Sequence, residues 1–279
     1  MTRLAKTVAG ITVVIVSFGV AGGAMTVRAN SVVPVQFSVV PEVESQPSVS
    51  PWVRKCIARG DAEHKEIALT FDDGPDPITT PAILDVLKKH DAKATFFVIG
   101  RRVKEHPELL RRIHEEGHEI GNHSYNHRNL INLDLDEVYK EYRDCNTVVN
   151  SVLGFDPAIC RPPGGNANPA VIEAAGKLNM KTVYWTCNTY DFETFDAELI
   201  TKRVVRVVRP GGIVLMHDKV AETITALEDV LSGLKKSGYS FATVSDLTEK
   251  SGERDDSLEL PWQWRRGGRA REMPLSEIF

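Results

Sequence analysis

Cysteine is scarce in this sequence, with four residues among 279. No two of them have the Cys-x-x-Cys spacing that would indicate a sulfur-ligated zinc site. An excess of charge of one sign is also lacking, because the net charge is −4 at pH 7. This balance gives no reason to expect a nucleic-acid partner. Cys145 and Cys160 flank a predicted helix and a predicted strand and could pair, although connectivity cannot be read from sequence.

The composition is that of an ordinary globular protein, with 42% hydrophobic and 26% charged residues. The first 29 residues differ from the rest. Arg3 and Lys6 precede an uncharged stretch at 7–27, which predicts a secretory signal peptide or an uncleaved membrane anchor. The sequence favours a signal peptide cleaved after Ala29 or Ala24. Either interpretation exports the remainder, which would be secreted or membrane-anchored and extracytoplasmic.

Three further segments are predicted after residue 29: a proline-containing linker at 30–60, a domain at 61–250 and a C-terminal tail at 251–279 whose role the sequence leaves open. Within the domain, apolar runs predict strands near 66–71, 94–99, 118–122, 158–161, 181–185, 212–216 and 240–243. Helices are predicted at 80–90, 102–116, 134–151, 168–178, 196–208 and 221–236. This alternation predicts an α/β fold with a parallel sheet, either a distorted (β/α) barrel or a flat doubly wound sheet.

Two histidines and two carboxylates offer the parts of a metal site. Asp72 and Asp73 follow a short apolar run, and His123 and His127 lie four residues apart in HSYNH. Imidazoles at i and i+4 share one side of a helical turn, so both are expected to face one cation. Two nitrogens and one oxygen leave a coordination position open for water. The second carboxylate could then take a proton from that water.

The chain resembles the polysaccharide deacetylases of the NodB-homology type, carbohydrate esterase family 4, over roughly residues 64–248. The likeness consists of five motifs in the order of the family. They are TFDDGP at 70–75, HSYNH at 123–127, RPPGG at 161–165, the stretch from Trp185 to Phe192, and IVLMHD at 213–218. The resemblance implies a distorted (β/α) barrel of the NodB-homology type.

The resemblance also implies the roles of the site residues. Asp73, His123 and His127 would hold one divalent metal ion, for which zinc is expected and cobalt, nickel and manganese stay open. Asp72 would be the general base. Arg161 would pair with Asp72 and keep it ionised.

Four further residues complete the implied site. His217 would be the general acid, with its pKa raised by Asp191. Gly164 would donate its backbone N–H to the oxyanion, in a place where many members carry Tyr. Phe192 would form an apolar wall where Trp is common. Leu215 matches the position that lines the acetyl-methyl pocket, and a place in the core is equally natural for it. Asn188 stands where the fourth motif often begins with Asp.

The expected activity is metal-dependent removal of N-acetyl groups from an extracytoplasmic glycan. Peptidoglycan is the first expectation, and chitin-like oligomers are an alternative polysaccharide substrate. An O-acetyl esterase acting on xylan-like polysaccharide and a non-catalytic glycan-binding protein on the same fold are the rival hypotheses. The N-terminal segment is expected to contact or cross a membrane at least transiently, and no nucleic-acid partner is expected.

Overall fold

Strand and helix alternate along most of the chain that the structure describes. The computed structural model describes residues 16–21, 24–29 and 56–249. The chain divides into two units, Met1–Ser48 and Val49–Phe279. In the first unit, β1 (Val16–Ala21) and β2 (Ala24–Ala29) form an antiparallel pair. None of the helices within the described ranges has the length and apolar character needed to cross a bilayer. The signal peptide or anchor stays a prediction, and the tail at 251–279 lies outside the described residues.

The second unit contains a parallel sheet. Its strands are β3 (Cys56–Ile57), β4 (Glu66–Gly74), β5 (Ala94–Val98), β6 (Glu119–Asn122), β7 (Ile159–Cys160), β8 (Lys181–Val183), β9 (Cys187–Asn188), β10 (Ile213–His217) and β11 (Ser240–Phe241). Hydrogen bonding orders them β3-β8-β7-β6-β5-β4-β10-β9, with β11 paired to β4. The sheet curls into a half-barrel with helices. The predicted distorted (β/α) barrel is therefore confirmed over the flat doubly wound sheet.

Eight helices of the described residues accompany the sheet. They are α1 (Thr79–Lys89), α2 (Gly100–Glu105), α3 (Pro107–Glu115), α4 (Leu135–Leu153), α5 (Pro169–Lys177), α6 (Ala197–Val207), α7 (Ala221–Lys236) and α8 (Val244–Glu249). The longest, α4, is predicted at 134–151 and runs from Leu135 to Leu153. Asp134 and Glu137 form a capping box, and Gly154 ends the helix with φ 81°.

Two predictions about the elements need correction. The single helix at 102–116 is two helices, because Pro107 lacks the N–H that a continuous helix would need there. The linker at 30–60 extends too far, since Cys56–Ile57 pairs with β8 in the sheet. The strand β9 and the helix α8 were not predicted from the sequence. Cys145 and Cys160 are not bonded to each other, and none of the four cysteines, all buried and within the described residues, forms a disulfide.

The core explains why the functional side chains lie at one edge of the sheet. All of β5 is buried, as is β4 from Ile67 onwards, so these strands are covered on both faces. The strands are parallel, so their carboxyl ends meet at the same edge. Asp72 and His217 lie at the ends of β4 and β10 and are register partners. His123 and Arg161 directly follow β6 and β7.

Candidate metal centre and active site

An irregularity at the end of β4 positions the two carboxylates. Asp72 pairs with Phe97 and Gly74 with Val98, so the register shifts across Asp73. Asp73 has φ 76°, a left-handed conformation that re-aims its side chain relative to a regular strand. Successive side chains of a regular strand point to opposite faces. The irregularity therefore lets consecutive carboxylates, both buried, serve the same edge of the sheet.

The histidine pair is carried by a loop and not by a helix. Ser124 and His127 have φ 62° and 59°, which no right-handed helix contains. The N–H of Ser124 donates to Asn122 Oδ1 at 2.7 Å, and the N–H of His127 donates to Ser124 Oγ at 3.0 Å. The rings of His123 and His127 are 5.0 Å apart between centroids. The helical turn expected for HSYNH is therefore wrong, although the loop does bring the rings together.

Asp73, His123 and His127 form a three-donor set whose ligand atoms lie within 4.8 Å of one another. Asp73 Oδ1 is 3.0 Å from His127 Nε2 and 3.6 Å from His123 Nε2. Tetrahedral bonds of zinc to nitrogen or oxygen would separate ligand atoms by about 3.3 Å. His123 Nδ1 lies 2.7 Å from the Arg161 carbonyl oxygen. Since a carbonyl only accepts, Nδ1 carries the proton and Nε2 keeps its lone pair for a cation. The residues therefore fit a divalent metal.

Electrostatics favours the ionised form of Asp73. Burial raises its pKa, but the hydrogen bond from His127 and the charges of both histidines outweigh burial. Lys219 adds an ion pair at 2.9 Å between Nζ and Asp73 Oδ2. The net result is a pKa far below the usual range of an aspartate. Burial lowers the pKa of His123, which favours the neutral, metal-binding form of that ring.

Asp72 is held by a buried guanidinium. Arg161 is completely buried, and its Nη1 donates to Asp72 Oδ1 and to Thr70 Oγ1, each at 2.8 Å. The guanidinium carbon lies 4.1 Å from the centre of the Phe97 ring. The other carboxylate oxygen, Asp72 Oδ2, is 3.8 Å from His123 Nε2. One oxygen of Asp72 is thus fixed, while the second lies beside the three-donor set.

His217 and Asp191 form a second, tightly bonded pair. Asp191 Oδ1 lies 2.7 Å from His217 Nδ1, and Asp191 Oδ2 accepts the His217 backbone N–H at 2.7 Å. Thr223 Oγ1 donates to the same Oδ2 at 2.6 Å. Burial lowers the pKa of His217, but the hydrogen bond and charge of Asp191, with the charges of Asp72 and Asp73, produce a net rise. Burial raises the pKa of Asp191, yet its bonds to His217 and Thr223 lower it overall.

Asp218, the neighbour of His217 in the fifth motif, faces a different part of the fold. Its carboxylate accepts from Thr80 Oγ1 at 2.6 Å and from Thr79 Oγ1 at 3.2 Å. Burial raises the pKa of this carboxyl to about 7. These contacts tie the end of β10 to the start of α1.

The three residues predicted to touch substrate lie in different environments. Gly164 is exposed in a short 3-10 turn with φ 65°, a conformation suited to glycine. Leu215 is 4% exposed, two residues before His217 on β10. Phe192 is 49% exposed, and its ring lies 5.1 Å from the His217 ring in an edge-on arrangement. An exposed aromatic ring beside the predicted acid is consistent with a wall of a binding site. The oxyanion and acetyl-pocket roles stay predictions.

Three residues that contact the site were not predicted from the sequence. Thr70 accepts from Arg161, Thr223 donates to Asp191, and Lys219 pairs with Asp73. Thr70 opens the first motif and Lys219 follows the fifth, so their positions offered a weak signal. Thr223 lies in the first turn of α7, and nothing in its spacing indicated the contact.

Comparisons with known proteins found similar sequences and similar structures. The profile of the polysaccharide deacetylase family matches residues 59–183. The peptidoglycan-N-acetylglucosamine deacetylase PgdA of Listeria monocytogenes is 41% identical over 184 residues, which cover 66% of this chain and 39% of that relative. The match therefore spans well under half the length of PgdA.

Two solved structures are also similar. The peptidoglycan N-acetylglucosamine deacetylase Bc1960 has 36% identity and a TM-score of 0.69, covering 73% of this chain and 98% of its own. BA3943 of Bacillus anthracis, described as a pseudoenzyme of carbohydrate esterase family 4, has 34% identity and a TM-score of 0.66, covering 69% of this chain and 68% of its own.

Proposed function

This chain belongs to the polysaccharide deacetylase family, and from that premise we propose that it is a metal-dependent hydrolase that removes N-acetyl groups from peptidoglycan. The observation that carries the proposal is a set of three metal donors that lies beside a candidate base and a candidate acid, each held by a separate partner. Asp72 is anchored by Arg161 and His217 by Asp191. A site with donors for one cation, a base and an acid at the same edge of a sheet has the parts that amide hydrolysis requires.

A divalent cation bound by Asp73, His123 and His127 would acidify a water molecule and polarise the acetyl carbonyl. Asp72 acts as the general base in this proposal. Its Oδ1 is occupied by Arg161, so Oδ2 is the oxygen that takes the proton from the attacking water. The buried Arg161 guanidinium orients the carboxylate through this charge-assisted hydrogen bond.

His217 delivers a proton to the leaving amine. Asp191 accepts from Nδ1, which leaves Nε2–H to face the substrate. As the carbon–nitrogen bond breaks, the electron pair remains on nitrogen and the Nε2 proton neutralises it, giving acetate and a free amino sugar. The raised pKa of His217 keeps a larger fraction of the ring protonated near neutral pH. The Gly164 N–H is proposed to stabilise the oxyanion, beside an acetyl pocket lined by Leu215.

Peptidoglycan is proposed as the substrate because PgdA and Bc1960, which the chain resembles, carry that activity in their names. Extracytoplasmic action, by a secreted or membrane-anchored protein, is proposed with it. Acetate release from peptidoglycan, chitin oligomers and acetylated xylan would separate the substrates. Faster turnover of acetylated xylan than of either N-acetylated glycan would contradict the proposal and favour the O-acetyl esterase.

A second candidate is a non-catalytic glycan-binding protein, which the similarity to the BA3943 pseudoenzyme favours. The purified protein would be assayed with peptidoglycan before and after treatment with a chelator. We expect acetate release that stops on chelation and returns with zinc, cobalt, nickel or manganese. Glycan binding without acetate release under any of these metals would support the non-catalytic protein instead.

A further inference from the structure

Helix α4 carries a buried carboxylate, Glu141, that binds the loop at 123–127, which contains both histidines. Glu141 is 5% exposed. Its Oε2 accepts the backbone N–H of Asn126 at 2.8 Å, and its Oε1 accepts from Asn126 Nδ2 at 2.9 Å. Asn126 directly precedes His127. Glu141 lies outside all five motif segments of the sequence, so the resemblance assigns it no role.

The loop needs support because its backbone is strained. Ser124 and His127 are both left-handed without being glycine, and such a conformation costs roughly 1–2 kcal/mol for each residue. Strained residues of this kind persist where the surrounding structure holds them in place. The bonds to Asn122 and Ser124 lie within the same segment. Glu141 adds two bonds from a separate, 19-residue helix.

The two histidines depend on this support to different degrees. His123 is 1% exposed, its N–H donates to the Val98 carbonyl, and its Nδ1 binds the Arg161 carbonyl. Neighbouring strands therefore fix His123 directly. The His127 side chain is 36% exposed, and its backbone N–H bonds within the loop, to Ser124. The position of His127 consequently depends on how firmly Asn126 is held.

We propose that Glu141 is a positioning residue for the metal centre, fixing Asn126 so that His127 Nε2 points at the donor set. The inference rests on the proposed metal-dependent function. The role is geometric, and two bonds to one asparagine define it. A glutamine at 141 could reproduce both bonds if the Asn126 side-chain amide turned over. Glu141→Gln is therefore expected to preserve the metal site, whereas Glu141→Leu is expected to weaken it.

The test measures zinc affinity of the full chain by competition with a chromogenic chelator, in wild type, Glu141→Gln, Glu141→Leu and Asn126→Ala. Hydrogen exchange at the amides of residues 126 and 127 is measured on the same metal-free proteins. Val149→Ala is the matched control, since Val149 is a fully buried core residue on the same helix. Its replacement is expected to lower stability, and its aliphatic side chain can make no hydrogen bond to the loop.

We expect Glu141→Leu to bind zinc 10–100-fold more weakly than wild type, the usual effect of losing an outer support of a metal ligand. Its amides at 126 and 127 are expected to exchange faster, while Glu141→Gln and Val149→Ala stay within about threefold of wild-type affinity. If Glu141→Leu does not fold, Asn126→Ala provides the test, with an expected loss of at least about threefold.

Wild-type-like affinity in Glu141→Leu, or in Asn126→Ala where Glu141→Leu is unfolded, would overturn the inference. An equal loss in Val149→Ala would also overturn it, because a general loss of stability would then explain the effect. A wild-type protein that binds no divalent metal would be a different result. It would remove the proposed function itself.

Discussion

Replacing Asp191 with asparagine would test how the proposed acid is controlled. The two oxygens of Asp191 receive four donors: Oδ1 receives His217 Nδ1–H and Phe192 N–H, and Oδ2 receives His217 N–H and Thr223 Oγ1–H. An asparagine that keeps its oxygen at the Oδ1 position retains the first two bonds. The Thr223 hydroxyl can rotate and accept from the new NH₂ group. Only the backbone N–H of His217 then faces the new NH₂ group, so it loses its acceptor.

The magnitudes follow from this arrangement. One buried N–H without an acceptor costs about 1–3 kcal/mol, so Asp191→Asn should remain folded with that loss of stability. The effect on turnover should be larger. Without the negative charge of Asp191 the pKa of His217 falls, so a smaller fraction of the ring is protonated at neutral pH. Complete loss of a general acid lowers kcat by about 10²–10⁴-fold, which sets the upper limit of the expected effect.

The measurement is kcat against pH for acetate release, with urea unfolding of the same samples. The wild-type imidazolium is favoured by its paired carboxylate, so activity should persist to higher pH in wild type than in Asp191→Asn. Thr223→Val is the control, because it removes one donor but keeps the charge; its kcat is expected within about threefold of wild type. An Asp191→Asn enzyme with wild-type kcat and an unmoved alkaline limb would refute the reasoning.

Three further outcomes are expected. Burial lowers the pKa of His118 to about 4, whereas an unfolded imidazole titrates near 6.5. The unfolded state therefore binds more protons than the folded state as pH falls between these values, and about 3 kcal/mol of folding stability is lost across that range. His118→Asn can still accept the Ala94 N–H but does not titrate, so it should lose less unfolding free energy than wild type between pH 7 and 4, as measured by urea unfolding. A loss as large as that of wild type would contradict this. Arg161→Met should cost about 3–5 kcal/mol in urea unfolding, because it leaves the Asp72 carboxylate buried without its partner; a loss below about 1 kcal/mol would show that the pair is not needed. His127→Ala should abolish acetate release and reduce zinc binding in a chelator competition. Thermal stability should change little, since the His127 side chain is partly exposed. Retained zinc affinity would contradict the assignment of His127 as a ligand.

The sequence predicted the elements well where one physical signal dominates. Buried strands such as β4 and β5 are continuous apolar runs, and α4 has both a capping box and a terminal glycine. Predictions failed where a local rule was overridden. Pro107 divides a helical pattern whose apolar spacing continues across it. The short strand Cys56–Ile57 has little pattern of its own and is defined by pairing with β8.

At the site, residue types could be predicted but their surroundings could not. The four-residue spacing of His123 and His127 indicated proximity through a helical turn, whereas two left-handed residues achieve it. Long-range contacts carry no sequence signal, because Thr223 and Asp191 are 32 positions apart and Glu141 and Asn126 are 15 apart. Such contacts depend on how helices pack against the sheet, and their spacing along the chain does not reveal it.

Asp72 and His217 are partners across the β4–β10 ladder. Adjacent strands lie about 4.8 Å apart, and backbone hydrogen bonds fix that separation. Loops at the edge can lengthen, shorten or change composition without altering the distance between the two residues. Efforts to change the specificity of the proposed deacetylase should therefore alter the loops and leave the two strands untouched.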